Sequence, residues 1–183
     1  EDITKHCLII DENTITYNGK TKGLICKSRM PRKGWKNMWY GIYKGFEQIP
    51  DTDDKTVVSF RYDYFNIQQS KKNEHDILEF IHKHVNTKQI SFIHYAAGVD
   101  NMYMGNYNKM KQLNYEFHNN LDSITNKHPD FGCHEYLVHT ISKKINNVKA
   151  EINNVKTEIK KVEAIPKCID NTEFYFYIRG HIR

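Results

Sequence analysis

The stretch DFGCHEYLVHTISKKI, residues 130–145, carries the side chains best suited to chemistry in this chain. Cys133 sits beside His134, and His139 follows five residues after that. Three roles fit these residue types: a thiol nucleophile with its base, half of a metal site, or a helix fastened by a disulfide. Thiol catalysis needs a base within hydrogen-bond reach and a third group to orient it. On a helix, residues three or four apart share a face, so neither histidine is aimed at Cys133. No acid or amide is arranged to orient a base. The expectation is a disulfide-bonded or buried thiol.

A second group lies in HDILEFIHKH, where His75, Glu79 and His82 would share one helical face. Glu79 and His82 make a single Glu-x-x-His. A di-iron bundle needs that motif twice, with further glutamates on partner helices, and no second copy exists. These histidines therefore read as surface residues in a mixed-charge segment. None of the nine glycines falls into a phosphate-loop or dinucleotide pattern, and GxSxG is absent. The expectation is a binding protein, not an enzyme, with no cofactor and no metal.

Composition narrows the class. The chain has 183 residues, 39% of them hydrophobic and 13% aromatic, enough to bury a core. Twelve tyrosines and nine phenylalanines favour β-structure and contact surfaces. The net charge is +5, but the lysines alternate with acids, as in KAEINNVKTEIKKVEA, and read as a solvated helix face. The densest basic run, KSRMPRKGWK at 27–36, lacks the glycine and aromatic pattern of an RNA-binding sheet. Nucleic acid is accordingly not the expected partner. Four cysteines (Cys7, Cys26, Cys133 and Cys168) form no CxxC pair, which argues against structural zinc. Widely spaced, they suit two disulfides in an oxidising compartment, or four free thiols in a reducing one. The opening EDITKH, without Met or an apolar run, reads as a mature chain after signal-peptide removal or as a trimmed one. No stretch approaches the length needed to insert in a membrane.

The elements that must position these residues follow from periodicity. CLIIDENTITYNGKT predicts a strand, a turn and a strand, with Asn18-Gly19 as a hairpin turn and GLICKS as the partner strand. In WKNMWYGIYKGFEQI the apolar residues fall at helical spacing, and Pro50 closes the helix. Trp35 and Trp39 share that apolar stripe. TVVSFRYDYFNIQ predicts a strand, QQSKKNEHD a loop, and ILEFIHKHV either period. KQISFIHYA predicts a strand and AGVDNMYMGNYN a loop. Helical spacing runs from Lys109 to Ile124, stops at NKHPDFG, and resumes from Leu137 to Val162. Within that run, residues 145–162 show a short coiled-coil repeat. EFYFYIRGHI predicts the last strand.

Two stretches resemble the two-domain platform of MHC class I-like proteins. IIDENTITYNGK is similar to the platform hairpin, and GCHEYLVHTISKKI to the second half of its second helix, where a cysteine follows a break. A closer resemblance, through KGWKNMWYGIYKGFEQIPDTDDKTVVSFRYDY, is to the poxvirus-encoded members. The resemblance implies an α+β fold: an antiparallel sheet with two helices on one face over residues 1–157. VEAIPKCIDNTEFYFYI resembles the opening of the family's immunoglobulin-like third domain, so residues 158–183 would start or vestigially retain it. In the family, the helix cysteine is bridged to one in the strand that matches SFRYDYF, where this chain offers Tyr62. Cys133 is then free, or joined to Cys7, Cys26 or Cys168. The implied function is that of a secreted viral immune-evasion protein that blocks a host immune protein, tumour necrosis factor (TNF) first, the receptor NKG2D as the alternative. Platform proteins use the exposed faces of their helices, which points to His134, Tyr136, Lys143 and Lys144 as contact residues. Two further readings stay open: a nucleic-acid-binding protein, or a coiled-coil oligomer built on residues 145–162.

Overall fold

Trp35, Trp39, Ile42 and Phe46 recur at steps of three and four, and this spacing forms helix α1, Arg32–Phe46. Pro31 stands before it in extended backbone, where a proline's missing N–H costs no helical bond. The computed structural model describes residues 8–25, 30–50, 55–61, 70–94, 102–131, 134–147 and 174–179, with the backbone alone for 70–74 and 174–179. Within them lie helices α2 (Ser70–His84), α3 (Tyr107–Asn119), α4 (Leu121–Lys127) and α5 (His134–Asn147). The strands are β1 (Thr56–Arg61), β2 (Ser91–Phe92), β3 (Met102–Asn106) and β4 (Phe174–Arg179).

The four strands make one sheet in the order β2-β3-β1-β4. β1 and β2 each pair antiparallel with β3, whereas β4 runs parallel to β1. Alternation along the strands sends Val57, Phe92 and Tyr103 to one face and Val58, Phe60, Met102 and Met104 to the other. Helices α1, α3, α4 and α5 pack on the first face, with Trp39 stacked on Phe117 at 4.4 Å. Helix α2 covers the second through Ile77 and Phe80. The fold is α+β, as expected, but the expectation of two helices on one face of an antiparallel sheet is corrected. Both faces are covered, because β1 and β3 are apolar on both sides and each side must be removed from water.

Three local expectations also change. Among the described residues no N-terminal hairpin is present: Glu12–Thr14 is a 3-10 turn, begun by Asp11, whose side chain accepts from the Asn13 N–H at 2.9 Å. Asn18-Gly19 does turn the chain, with Gly19 at φ 74°, yet residues 15–20 are tied to helices and, among the described residues, to no partner strand. The segment expected as a loop, SKKNEHD, supplies the first turns of α2. MYMGN, also expected as a loop, is β3 at the centre of the sheet, its first four residues buried. Its last residue, Asn106, is already the cap of α3, accepting from the Asn108 N–H at 3.1 Å. The proposed boundary at 157/158 and most of the coiled-coil repeat lie outside the described residues.

Candidate interaction surface

A polar hub fastens the N-terminal segment to the helices. Asp122, at the start of α4, accepts from Arg32 at 2.6 Å, from Lys36 at 3.0 Å and from the Lys20 N–H at 2.8 Å. Lys36 also donates to the Asn18 carbonyl. Burial alone would raise the Asp122 carboxyl, but the Lys36 and Lys20 hydrogen bonds, with the charges of Lys36 and Arg32, carry it below the usual range. Gly19 is needed here: a Cβ would lie 2.2 Å from the Asp122 carboxylate.

Held in this way, α1 and α3 present a tyrosine-rich outer face. On α1, Tyr40, Tyr43 and Lys44, with Glu47 at the helix's C-terminal cap, follow at helical steps beside the buried Trp39 and Ile42. On α3, Tyr115 and His118 lie one turn apart. The His118 ring stacks on Tyr43 at 4.5 Å and 16°, and meets Tyr40 edge-on at 5.6 Å. Lys44 lies 5.9 Å from the Tyr40 ring and 5.8 Å from the Tyr43 ring, and pairs with Glu47 at 2.7 Å. Tyr43 donates to Glu47, which raises the tyrosine's pKa; burial and the Glu47 charge add to the rise. Burial and the Lys44 charge lower His118, so its imidazole is neutral at pH 7. Tyr115 is 51% exposed. Tyr17 extends the face, donating to Asn37 with Lys33 at 5.9 Å from its ring. The depression among Tyr17, Tyr40 and His118 measures about 10 Å³, room for one water and not for a ligand. This is a shallow face, not a pocket.

The residues expected at the surface are divided. Tyr136, Lys143 and Lys144 stand exposed on α5. His134 is turned inward, its ring 4.9 Å from that of Trp35 and its Nδ1 3.4 Å from Glu135. Trp35 and Trp39 are core, at 0% and 2% exposure. His75 and Glu79 lie 3.9 Å apart and well exposed, and among the described residues no three His, Cys, Asp or Glu side chains could hold a metal. Cys7, Cys26, Cys133, Cys168 and Tyr62 lie outside the described residues, as does any disulfide among them. Among the described residues no helix is long and apolar enough to cross a membrane. The tyrosine face went unnoticed in the sequence although Tyr40, Tyr43, Lys44 and Glu47 form a helical stripe of their own.

Comparison with known protein families, with characterised proteins and with solved structures found no match.

Proposed function

We propose that this chain is a non-catalytic, secreted protein-binding protein whose contact surface is the tyrosine face of α1 and α3. The carrying observation is the grouping of Tyr40, Tyr43, Tyr115 and His118 outside the core, since clustered tyrosines dominate binding energy at protein interfaces. The charges favour a protein over a nucleic acid. Arg32 and Lys36 are matched by Asp122, and Lys44 by Glu47, so these cations do not form the open positive stripe that tracks phosphates.

For the target, the poxvirus resemblance supports TNF first and NKG2D second, and it rests on the quoted stretches of sequence. The sheet covered on both faces adds nothing to an MHC class I-like platform, so contact is assigned to α1 and α3 and not to a platform groove. The test is binding of the chain to soluble TNF, soluble NKG2D and a single-stranded oligonucleotide. Saturable binding to either protein, weakened about tenfold or more by Tyr115→Ala, supports the reading. Binding to the oligonucleotide alone, falling steeply with salt, overturns it.

A further inference from the structure

His118 is the imidazole of the tyrosine face, the one side-chain type that changes charge near neutral pH. It lies half-buried in the last turn of α3. Its ring is flat on Tyr43 at 4.5 Å and 16°, and edge-on to Tyr40 at 5.6 Å. A partner seated on those two tyrosines therefore closes over the imidazole as well. Glu47, Lys44, Tyr43 and Tyr17 keep their charge states from about pH 8 to about pH 5. The hydrogen bond from Lys44 holds the Glu47 carboxyl below its ordinary range and raises Lys44. Tyr43, by its bond to Glu47, and Tyr17, by burial, are raised above theirs.

From α1 the imidazole faces Tyr40, Tyr43 and the Lys44–Glu47 pair, and across the small depression it faces Tyr17 and Lys36. On its own helix Tyr115 stands one turn back. Two features favour a cation here, the Glu47 charge and the C-terminal end of α3. Burial and the Lys44 charge oppose it and prevail. Glu47 is already engaged by Lys44 at 2.7 Å and by the Tyr43 hydroxyl, and the Lys36 charge is met by Asp122 at 3.0 Å. Lys44 lies 5.9 Å from the Tyr40 ring and 5.8 Å from the Tyr43 ring, so a protonated His118 is a second cation against the same two rings. A covering partner also removes the water that would solvate that cation. The complex thus takes up the proton less readily than the free chain, and by linkage protonation weakens binding.

We propose that the tyrosine face is an acid-released contact, holding its protein partner while His118 is neutral and letting it go when the imidazole takes up a proton. This rests on the contact face proposed above and adds its regulation.

The test is calorimetric titration of the full chain, His118→Phe and His118→Gln with soluble TNF and soluble NKG2D, at about pH 7.4 and about pH 5.5. Phenylalanine keeps a ring for Tyr43 and glutamine keeps polarity, and neither takes up a proton in this range. His84 and His139, on α2 and α5, are unchanged in both variants. The expected result is a Kd that rises on acidification about threefold or more beyond the rise in either variant. The His118 imidazole signals of the free chain, followed by NMR, titrate with a midpoint below about pH 6.5, and lower still with partner bound. Four results overturn the proposal: the same change of Kd in all three proteins, tighter binding in acid that depends on His118, a midpoint at or above about pH 6.5, or loss of the circular dichroism of the wild-type chain at the lower pH, which assigns release to unfolding. Any of these beside binding at neutral pH leaves the contact face standing. Absence of binding to either protein at neutral pH removes the contact face and this regulation together.

Discussion

Asp122 shows how one side chain can organise three parts of a chain. It accepts from Lys20 in the N-terminal segment and from Arg32 and Lys36 on α1, while itself opening α4. Lys36 and Arg32 have side chains only 8% and 12% exposed, so removing the carboxylate leaves two cations poorly solvated and unmatched. Asp122→Asn is expected to cost about 2–3 kcal/mol, read as a drop in Tm of about 5–10 °C. An unchanged Tm would remove the hub from the account. None of this was legible in the sequence, because Asp122 lies more than eighty residues from its partners and ion pairs have no period. Gly19, by contrast, was legible as a turn residue, though the turn serves the hub and not a hairpin.

Among the elements, those with helical period were the most readable. The α1 stripe of Trp35, Trp39, Ile42 and Phe46 and the α3 stripe through Leu113 and Phe117 fold as their spacing dictates. β3 was missed because MYMGN is buried on both sides and does not alternate; sheet burial, not local pattern, makes it a strand. Gly105 within it is a packing requirement. A Cβ there would lie 3.1 Å from the Gln89 carbonyl oxygen and the Ile90 Cα, both backbone atoms. Gly105→Ala is therefore expected to destabilise by about 1–3 kcal/mol in denaturant unfolding. A neutral result would mean that the 89–90 segment yields to the new methyl group. The start of α2 was missed for the opposite reason: SKKNEHD is polar throughout, and its helicity depends on the apolar turns that follow.

At the scale of the molecule, two cores share one sheet, and partly buried histidines lie in both halves. Burial lowers His84, His118 and His139, helped by Lys83, Lys44 and Lys143 respectively. The unfolded chain takes up these protons near about pH 6.5, and the folded chain only at lower pH. Acidification through that interval therefore favours the unfolded state. Tm is expected to fall between about pH 7.5 and about pH 5, and to fall again below about pH 4, where the depressed Asp122 carboxylate is finally protonated. A flat profile to pH 5 would contradict the histidine placement. Of the α5 residues named from the sequence, Tyr136, Lys143 and Lys144 were legible as helix surface, whereas His134 is turned inward. The tyrosine face was not legible, since it depends on α1 and α3 lying side by side. The central claim is that this face binds a protein partner, and the most direct measurement is calorimetric titration of the chain and of its Tyr115→Ala variant with soluble TNF and, separately, soluble NKG2D. The account predicts saturable binding to one of them, weakened about tenfold or more in the variant with Tm unchanged. Binding of the variant at full strength, or no binding of the wild-type chain to either protein, would contradict it.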